Sequence, residues 1–191
     1  MMRGDETMNE TLQTIAKRTS CRSYQDKRLD SETLMTILNA GIQAPSAMNK
    51  QLCEVFAVTR KDYIDELADA VRYVFNERGD IKPDHYHCAY HAPILVIVAG
   101  PEYDSKRIED GSCILENIFL AATSLNIGSC WINQLRDTQD VEEVHNVLTK
   151  IGVPTNFQVV GCAALGYTAS DTPAKEKKQT RIHIIEEKNC D

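Results

Sequence analysis

Residues 105–126, S-K-R-I-E-D-G-S-C-I-L-E-N-I-F-L-A-A-T-S-L-N, decide how this chain folds. Ile114, Leu115, Ile118, Phe119, Ala121, Ala122 and Leu125 recur at helical spacing and cover most of the circumference. A helix apolar nearly all round has to be buried on nearly all sides. Two coverings are open. One is the core of a dimer, the natural choice for a small domain; the other is a central place in a monomeric bundle. Glu116, Asn117, Asn126 and Asn133 lie in or beside the apolar stretch Ile114–Ile132, so it does not read as a transmembrane span.

Downstream, Ile127-Gly128 ends this helix and Ser129 to Leu135 reads as a short strand or turn. Asp137 is the expected cap of the next helix, which carries Val141, Val144 and Leu148 and ends at Gly152 with Pro154 beyond. Phe157 to Leu165 is an apolar strand. The alternating segment Arg181-Ile182-His183-Ile184-Ile185 reads as a late strand with no sequence neighbour left, suited to another sheet's edge, including a partner's.

Upstream, Pro93 opens Ile94 to Ala99, a continuous apolar run suited to a central strand buried on both faces. Glu54 to Thr59 is short and β-branched, hence a strand, and a helix from about Lys61 to Asn76 follows. Residues 79–91 are polar and read as a loop or short helix. Asp30 is a good N-cap for a helix carrying Leu34, Ile37, Leu38 and Ile42, which ends near Pro45. A first helix runs from about Asn9 to Arg18. Residues 1–8 read as a loose leader and 9–191 as one domain. The class is α+β (mixed α/β), with one central mixed sheet flanked by helices.

A net charge of −7 makes the chain a poor non-specific partner for nucleic acid or an anionic membrane. Any anion it binds must be held by a local basic cluster against the overall field. The seven cysteines are irregularly spaced and form no C-x-x-C, which argues against a disulfide framework or zinc ribbon. Reduced thiols and the lack of a signal-peptide pattern make the cytoplasm the expected compartment.

Three polar segments carry chemistry. Arg18-Thr19-Ser20-Cys21-Arg22 sets two hydroxyls between two arginines, a pattern able to grip a phosphate through forked guanidinium contacts. The same pattern suits an ordinary solvated surface. Ala44-Pro45-Ser46-Ala47-Met48-Asn49-Lys50-Gln51 offers amides and a hydroxyl suited to a heteroaromatic edge or sugar, or is a plain connection. Pro173-Ala174-Lys175-Glu176-Lys177-Lys178 is a charge run, most simply a solvated one. No Gly-rich phosphate loop of the dinucleotide or triphosphate type is present.

Together, the order and spacing of these segments resemble the nitroreductase family of flavoproteins. Arg18 to Arg22 followed by Tyr24 matches an R-x-S-x-R-like opening, and Ala44 to Gln51 matches A-P-S-x-x-N-x-Q. Tyr73 to Arg78 looks like a flavin-side stretch of some members. Asp110-Gly111 through Asn117 and Leu120-Ala121-Ala122 to Gly128 matches a further motif, and Gly166-Tyr167 with Pro173 to Lys177 matches the tail. The resemblance spans residues 9–186.

It implies an intertwined homodimer with an FMN in each interfacial groove. Arg18, Ser20 and Arg22 would meet the phosphate and ribityl chain, with Lys177 and Lys175 completing the anion site. Thr19 would contact the pyrimidine side through its backbone. Pro45, Ser46 and Asn49 would reach in from the other subunit, and Asn76 would touch the ring edge. Trp131, Ile132 and Asn133 would lie along the isoalloxazine, a backbone N–H facing N5. No side chain is nominated as catalytic, because the hydride chemistry is the flavin's. The implied reaction is ping-pong: NADH or NADPH reduces the flavin, then a nitroaromatic or quinone takes the electrons. Alternatives are another flavin enzyme on this fold, a dehydrogenase or dehalogenase, or a non-catalytic flavin-binding sensor using Cys21 or Cys53.

Departures from the family pattern are Leu52-Cys53 in place of Pro-Trp, and Lys177 in place of arginine. The insert that shapes larger members' substrate pockets is reduced to about residues 76–91, which hold His85, Tyr86, His87, Tyr90 and His91. H-x-H there could bind a metal, but without carboxylate or thiol support none is expected.

Overall fold

The apolar run after Pro93 forms the spine of the molecule. In the computed structural model, which describes residues 8–170 and 172–185, Ile94–Pro101 (β2) is buried along its whole length. It lies between Glu54–Val58 (β1) and Phe157–Gly166 (β4), and Gly128–Ile132 (β3) completes the order β1-β2-β4-β3. All three pairings are antiparallel. Among the described residues, the parallel component of the sheet is a single bridge, Ser20 to Ser129.

Alternation along β2 sorts its side chains into two cores. Leu95, Ile97 and Ala99 pack with Ile64, Leu67 and Val71 of Lys61–Glu77 (α3) and Val144, Val147 and Leu148 of Glu142–Lys150 (α6). Ile94, Val96 and Val98 pack with Ile37 of Ser31–Ile42 (α2) and Ile114, Leu115, Ile118 and Phe119 of Arg107–Ser124 (α4). Helices on both faces explain why a strand in an antiparallel sheet is apolar throughout rather than alternating.

The long helix α4 finds most of its covering within the chain, between α2 and the sheet. Cys113 and Glu116 remain exposed, and Leu120 and Ala121 are half-buried. The first helix, Glu10–Lys17 (α1), also lies against α4. Gly111 lets α4 approach β4, because a Cβ there would stand 2.8 Å from Val160 Cγ2. Asp30 caps α2 as expected, its Oδ1 accepting the Thr33 N–H at 2.7 Å.

One expectation is corrected. Asp137 caps no following helix; it lies inside a short helix, Gln134–Thr138 (α5), because its carboxylate accepts the Asn133 side-chain amide at 2.9 Å and closes that turn. Helix α6 starts instead after Val141. The late segment, read as a strand for another sheet's edge, has no strand partner among the described residues of its own chain: a 3-10 turn over Gln179–Arg181 leads into exposed residues, Ile185 being 93% exposed. The leader read over residues 1–8 lies, except for Met8, outside the described residues. No helix among the described residues is long and apolar enough to cross a membrane.

Candidate functional site

Residues 18–24 run extended beside β3. The Cys21 N–H donates to the Ser129 carbonyl at 2.8 Å, and Tyr24 bridges to Thr168. The half-buried Tyr24 hydroxyl donates to the Cys21 carbonyl at 2.8 Å and lies 3.2 Å from that of Ala164. Gly128 allows this close approach, since a Cβ there would meet Thr168 Cγ2 at 2.7 Å and Cys21 Sγ at 2.9 Å.

This docking fixes the arginine segment next to the tail. Arg18, Thr19, Ser20 and Arg22 line one cavity of about 140 Å³ with Thr172, Pro173, Lys175 and Lys177. Segments some 155 residues apart in sequence therefore converge (177 − 22). The cavity gathers arginine, lysine and hydroxyl donors, the set that recognises a phosphate. Its size suits such a group and a few further atoms, not a whole mononucleotide.

The two arginines differ in their surroundings. Arg18 faces the Glu116 carboxylate at a long 3.9 Å. Arg22 Nε donates to the Tyr90 hydroxyl at 3.2 Å, and that hydrogen bond, followed by the nearby Cys130 thiol, raises its pKa above the ordinary value. Burial raises the Cys130 thiol in turn, although Arg22 opposes it.

Beyond the cavity, β3 presents Trp131, which is 36% exposed, its ring 6.0 Å from that of Phe119. Ile132 is buried and offers only its backbone to a ligand. The Asn133 side chain bridges Trp131 Nε1 at 3.4 Å and Asp137, while its backbone N–H donates to Gln134 Oε1 at 3.1 Å.

Pro45, Ser46 and Asn49 do not line this cavity. Their loop is built unusually: Met48, Asn49 and Gln51 all take left-handed φ of 54°, 54° and 51°. Non-glycine residues there cost roughly 1–3 kcal/mol each and persist only where surroundings over-determine them. The determinants are visible. Ser46 Oγ accepts the Gln51 N–H at 3.0 Å, Gln51 Nε2 donates to Asn49 Oδ1 at 2.9 Å, and both oxygens of Asp110 accept the Ala47 N–H at 3.1 Å. Asp110, only 7% exposed, thus ties α4 to this loop. Asn76 also stays away from the cavity; its Oδ1 accepts the Lys82 N–H at 2.7 Å.

Sequence reasoning gave Asp110 no role beyond its place in the Asp110-Gly111 motif. Tyr90 carried no such signal. Its contact with Arg22 depends on a turn whose shape is set by His87.

That turn brings His87 and His91 to Asp65 of α3, far from them in sequence. His87 Nδ1 accepts the N–H groups of Ala89 and His91, both at 3.2 Å, which assigns the proton to Nε2. Nε2 lies 3.4 Å from Asp65 Oδ1. The ring is therefore a neutral turn cap whose nitrogens are both engaged.

Burial first, then His91, lowers the His87 pKa from 6.5, with Asp65 opposing; the charged or titratable groups facing it are Asp65 and Lys61 on α3 and His91 on its own turn. The unfolded chain therefore binds a proton at this position more readily than the folded one. Stability from His87 is fully present above pH 6.5 and is lost as pH falls through its lower folded value. Thermal unfolding between pH 7.5 and 5.5 is expected to show this decline, and His87→Gln to flatten it. An unchanged pH slope in the variant would exclude His87 as its source.

Comparison with known proteins matches residues 15–167 to the nitroreductase family model. A nitroreductase with bound FMN from Bacteroides fragilis NCTC 9343 is similar in structure, with 41% identity, 94% of this chain and 100% of that chain covered, and a TM-score of 0.88. A nitroreductase with bound FMN from Desulfitobacterium hafniense DCB-2 shows 27% identity, the same coverage and a TM-score of 0.82. An NADPH-flavin oxidoreductase from Vibrio harveyi is 26% identical over 188 residues, 95% of this chain and 75% of that protein.

Proposed function

Because this chain belongs to the nitroreductase family, we propose that it is an FMN-dependent oxidoreductase that takes electrons from NADH or NADPH and passes them to an electron-poor acceptor such as a nitroaromatic or quinone. The observation carrying this reading is the convergence of Arg18 and Arg22 with Lys175 and Lys177 on one cavity of an acidic chain. An FMN phosphate carries about two negative charges, and these residues fit it. Ser20 and Thr19 would fill remaining phosphate and ribityl oxygens. Trp131 and the backbone of Ile132 and Asn133, held beside Ser20 by the Ser20–Ser129 bridge, would line the ring. When bound, FMN supplies the hydride chemistry, leaving the protein to bind, orient and exclude water. The same fold relatives bind FMN at 41% and 27% identity, which supports the cofactor assignment.

We propose further that the protein works as a homodimer. Leu12 and Ile15 on α1, Met35 and Ile42 on α2 and Ile108 on α4 are exposed although these helices adjoin, more apolar surface than one chain needs to show. In such a dimer Pro45, Ser46 and Asn49 would serve the other subunit's flavin, and Asn76 its ring edge. Against a thiol sensor, burial first, then Asp110 and Asp104, pushes the Cys53 thiol up to about 11, so little thiolate is available. The six cysteines among the described residues are free, which supports a cytoplasmic location.

The visible spectrum of purified protein tests the cofactor: a yellow sample that releases FMN on denaturation is expected. Turnover with NADH and NADPH against nitroaromatic and quinone acceptors then tests the reaction, with parallel double-reciprocal lines expected. A colourless protein that takes up no added FMN overturns the proposal.

A further inference from the structure

We propose that Tyr90 is a positioning residue that orients Arg22 toward the flavin phosphate without diminishing its charge; this rests on the functional reading above. Arg22 lines the anion cavity, yet its Nε is held from outside it, by the Tyr90 hydroxyl at 3.2 Å. Nη1 makes a long contact of 3.4 Å with the Ser20 carbonyl. Among the described residues Nη2 has no hydrogen-bond partner, so it is the nitrogen left for an anion.

The chemistry of the partner matters. A carboxylate beside Nε would orient the guanidinium and also cancel its charge, as Glu116 tends to do for Arg18 at 3.9 Å. A phenol accepts the same hydrogen bond and stays neutral, so the full positive charge remains for the phosphate.

Tyr90 is itself located by groups remote from the cavity. It has a left-handed φ of 53°, rare for an aromatic residue. Its N–H donates to the His87 carbonyl at 2.9 Å, and the flanking amides of Ala89 and His91 donate to His87 Nδ1. His87 is held by Asp65, which is paired with Lys61, both on α3. A chain of contacts thus runs from α3 through the 87–91 turn to Arg22. The shortened insert gains a role in binding the cofactor rather than in shaping the acceptor pocket alone.

Tyr90→Phe keeps the ring and removes the acceptor. Affinities of the apoprotein for FMN and for riboflavin, which lacks the phosphate, are measured in four proteins: wild type, Tyr90→Phe, Arg22→Lys and the double variant. The proposal expects Tyr90→Phe to weaken FMN binding about tenfold and riboflavin binding by less than about twofold. It also expects no further loss in the Arg22→Lys background, because lysine lacks the Nε that Tyr90 holds. Equal losses for the two flavins, additive losses in the double variant, or an unchanged FMN affinity would overturn it. Should Tyr90→Phe fail to fold, as a lost cooperative thermal transition would reveal, the residue is structural and the proposal falls. Wild-type protein that takes up neither flavin overturns the functional reading and this inference together; a failure confined to the variants overturns the inference alone.

Discussion

Arg22→Ala is expected to lower FMN affinity about a hundredfold while leaving riboflavin affinity within about twofold. The magnitude follows from losing a charge-assisted contact worth roughly 2–3 kcal/mol, at about 1.4 kcal/mol per tenfold. Arg18→Ala should do less, because Arg18 already shares its charge with Glu116. Lys175 and Lys177 are exposed, so each alone should matter less than Arg22 and most at low ionic strength. Flavin fluorescence titrations at two salt concentrations separate these contributions. A loss as large for riboflavin as for FMN would show that Arg22 acts on the fold and not on the phosphate.

Gly111→Leu is expected to destabilise the protein by roughly 3 kcal/mol, the upper end for forcing extra atoms into a packed core. A Cβ at this position would already lie 2.8–3.0 Å from three atoms of Val160. Val160 cannot withdraw, since it is buried on β4 and β4 is held between β2 and β3. Alanine at the same site is milder: the helix gains roughly 1 kcal/mol of propensity, which offsets part of the clash. For a chain of this size the leucine variant should melt roughly 6–12 °C lower. Asp110 precedes Gly111 and anchors the 46–51 loop, so displacement of α4 should also loosen that loop. A leucine variant as stable as wild type would mean that α4 can part from the sheet without cost.

Local patterns made much of this fold readable in advance. The apolar run of β2 announced a strand covered on both faces, and Asp30 marked the start of α2, because each depends on neighbours in sequence. Asp137 misled because capping is decided by partners: the Asn133 amide captured its carboxylate within a shorter turn. For α4, an all-round apolar surface cannot say whether the covering comes from the same chain; α2 and the sheet supply most of it. The candidate site was legible as separate pieces. Arg18–Arg22 and Lys175–Lys177 each look like ordinary surface charge, and only the backbone pairing of Ser20 with Ser129 and of Tyr24 with Thr168 brings them together. Asp65, His87 and Tyr90 were unreadable because their relation depends on a left-handed turn that no sequence pattern specifies.

The concentration of cations in one small recess of a chain whose net charge is −7 has a kinetic consequence. A dianion diffusing inward is repelled while it is far away and attracted only near contact, within about 8–10 Å at ordinary ionic strength. Raising the salt from very low levels should therefore hasten capture by screening the outer barrier, whereas concentrated salt should hasten escape by weakening the inner well. The residence time of the flavin and its rate of arrival would then respond to ionic strength through different parts of the same molecule.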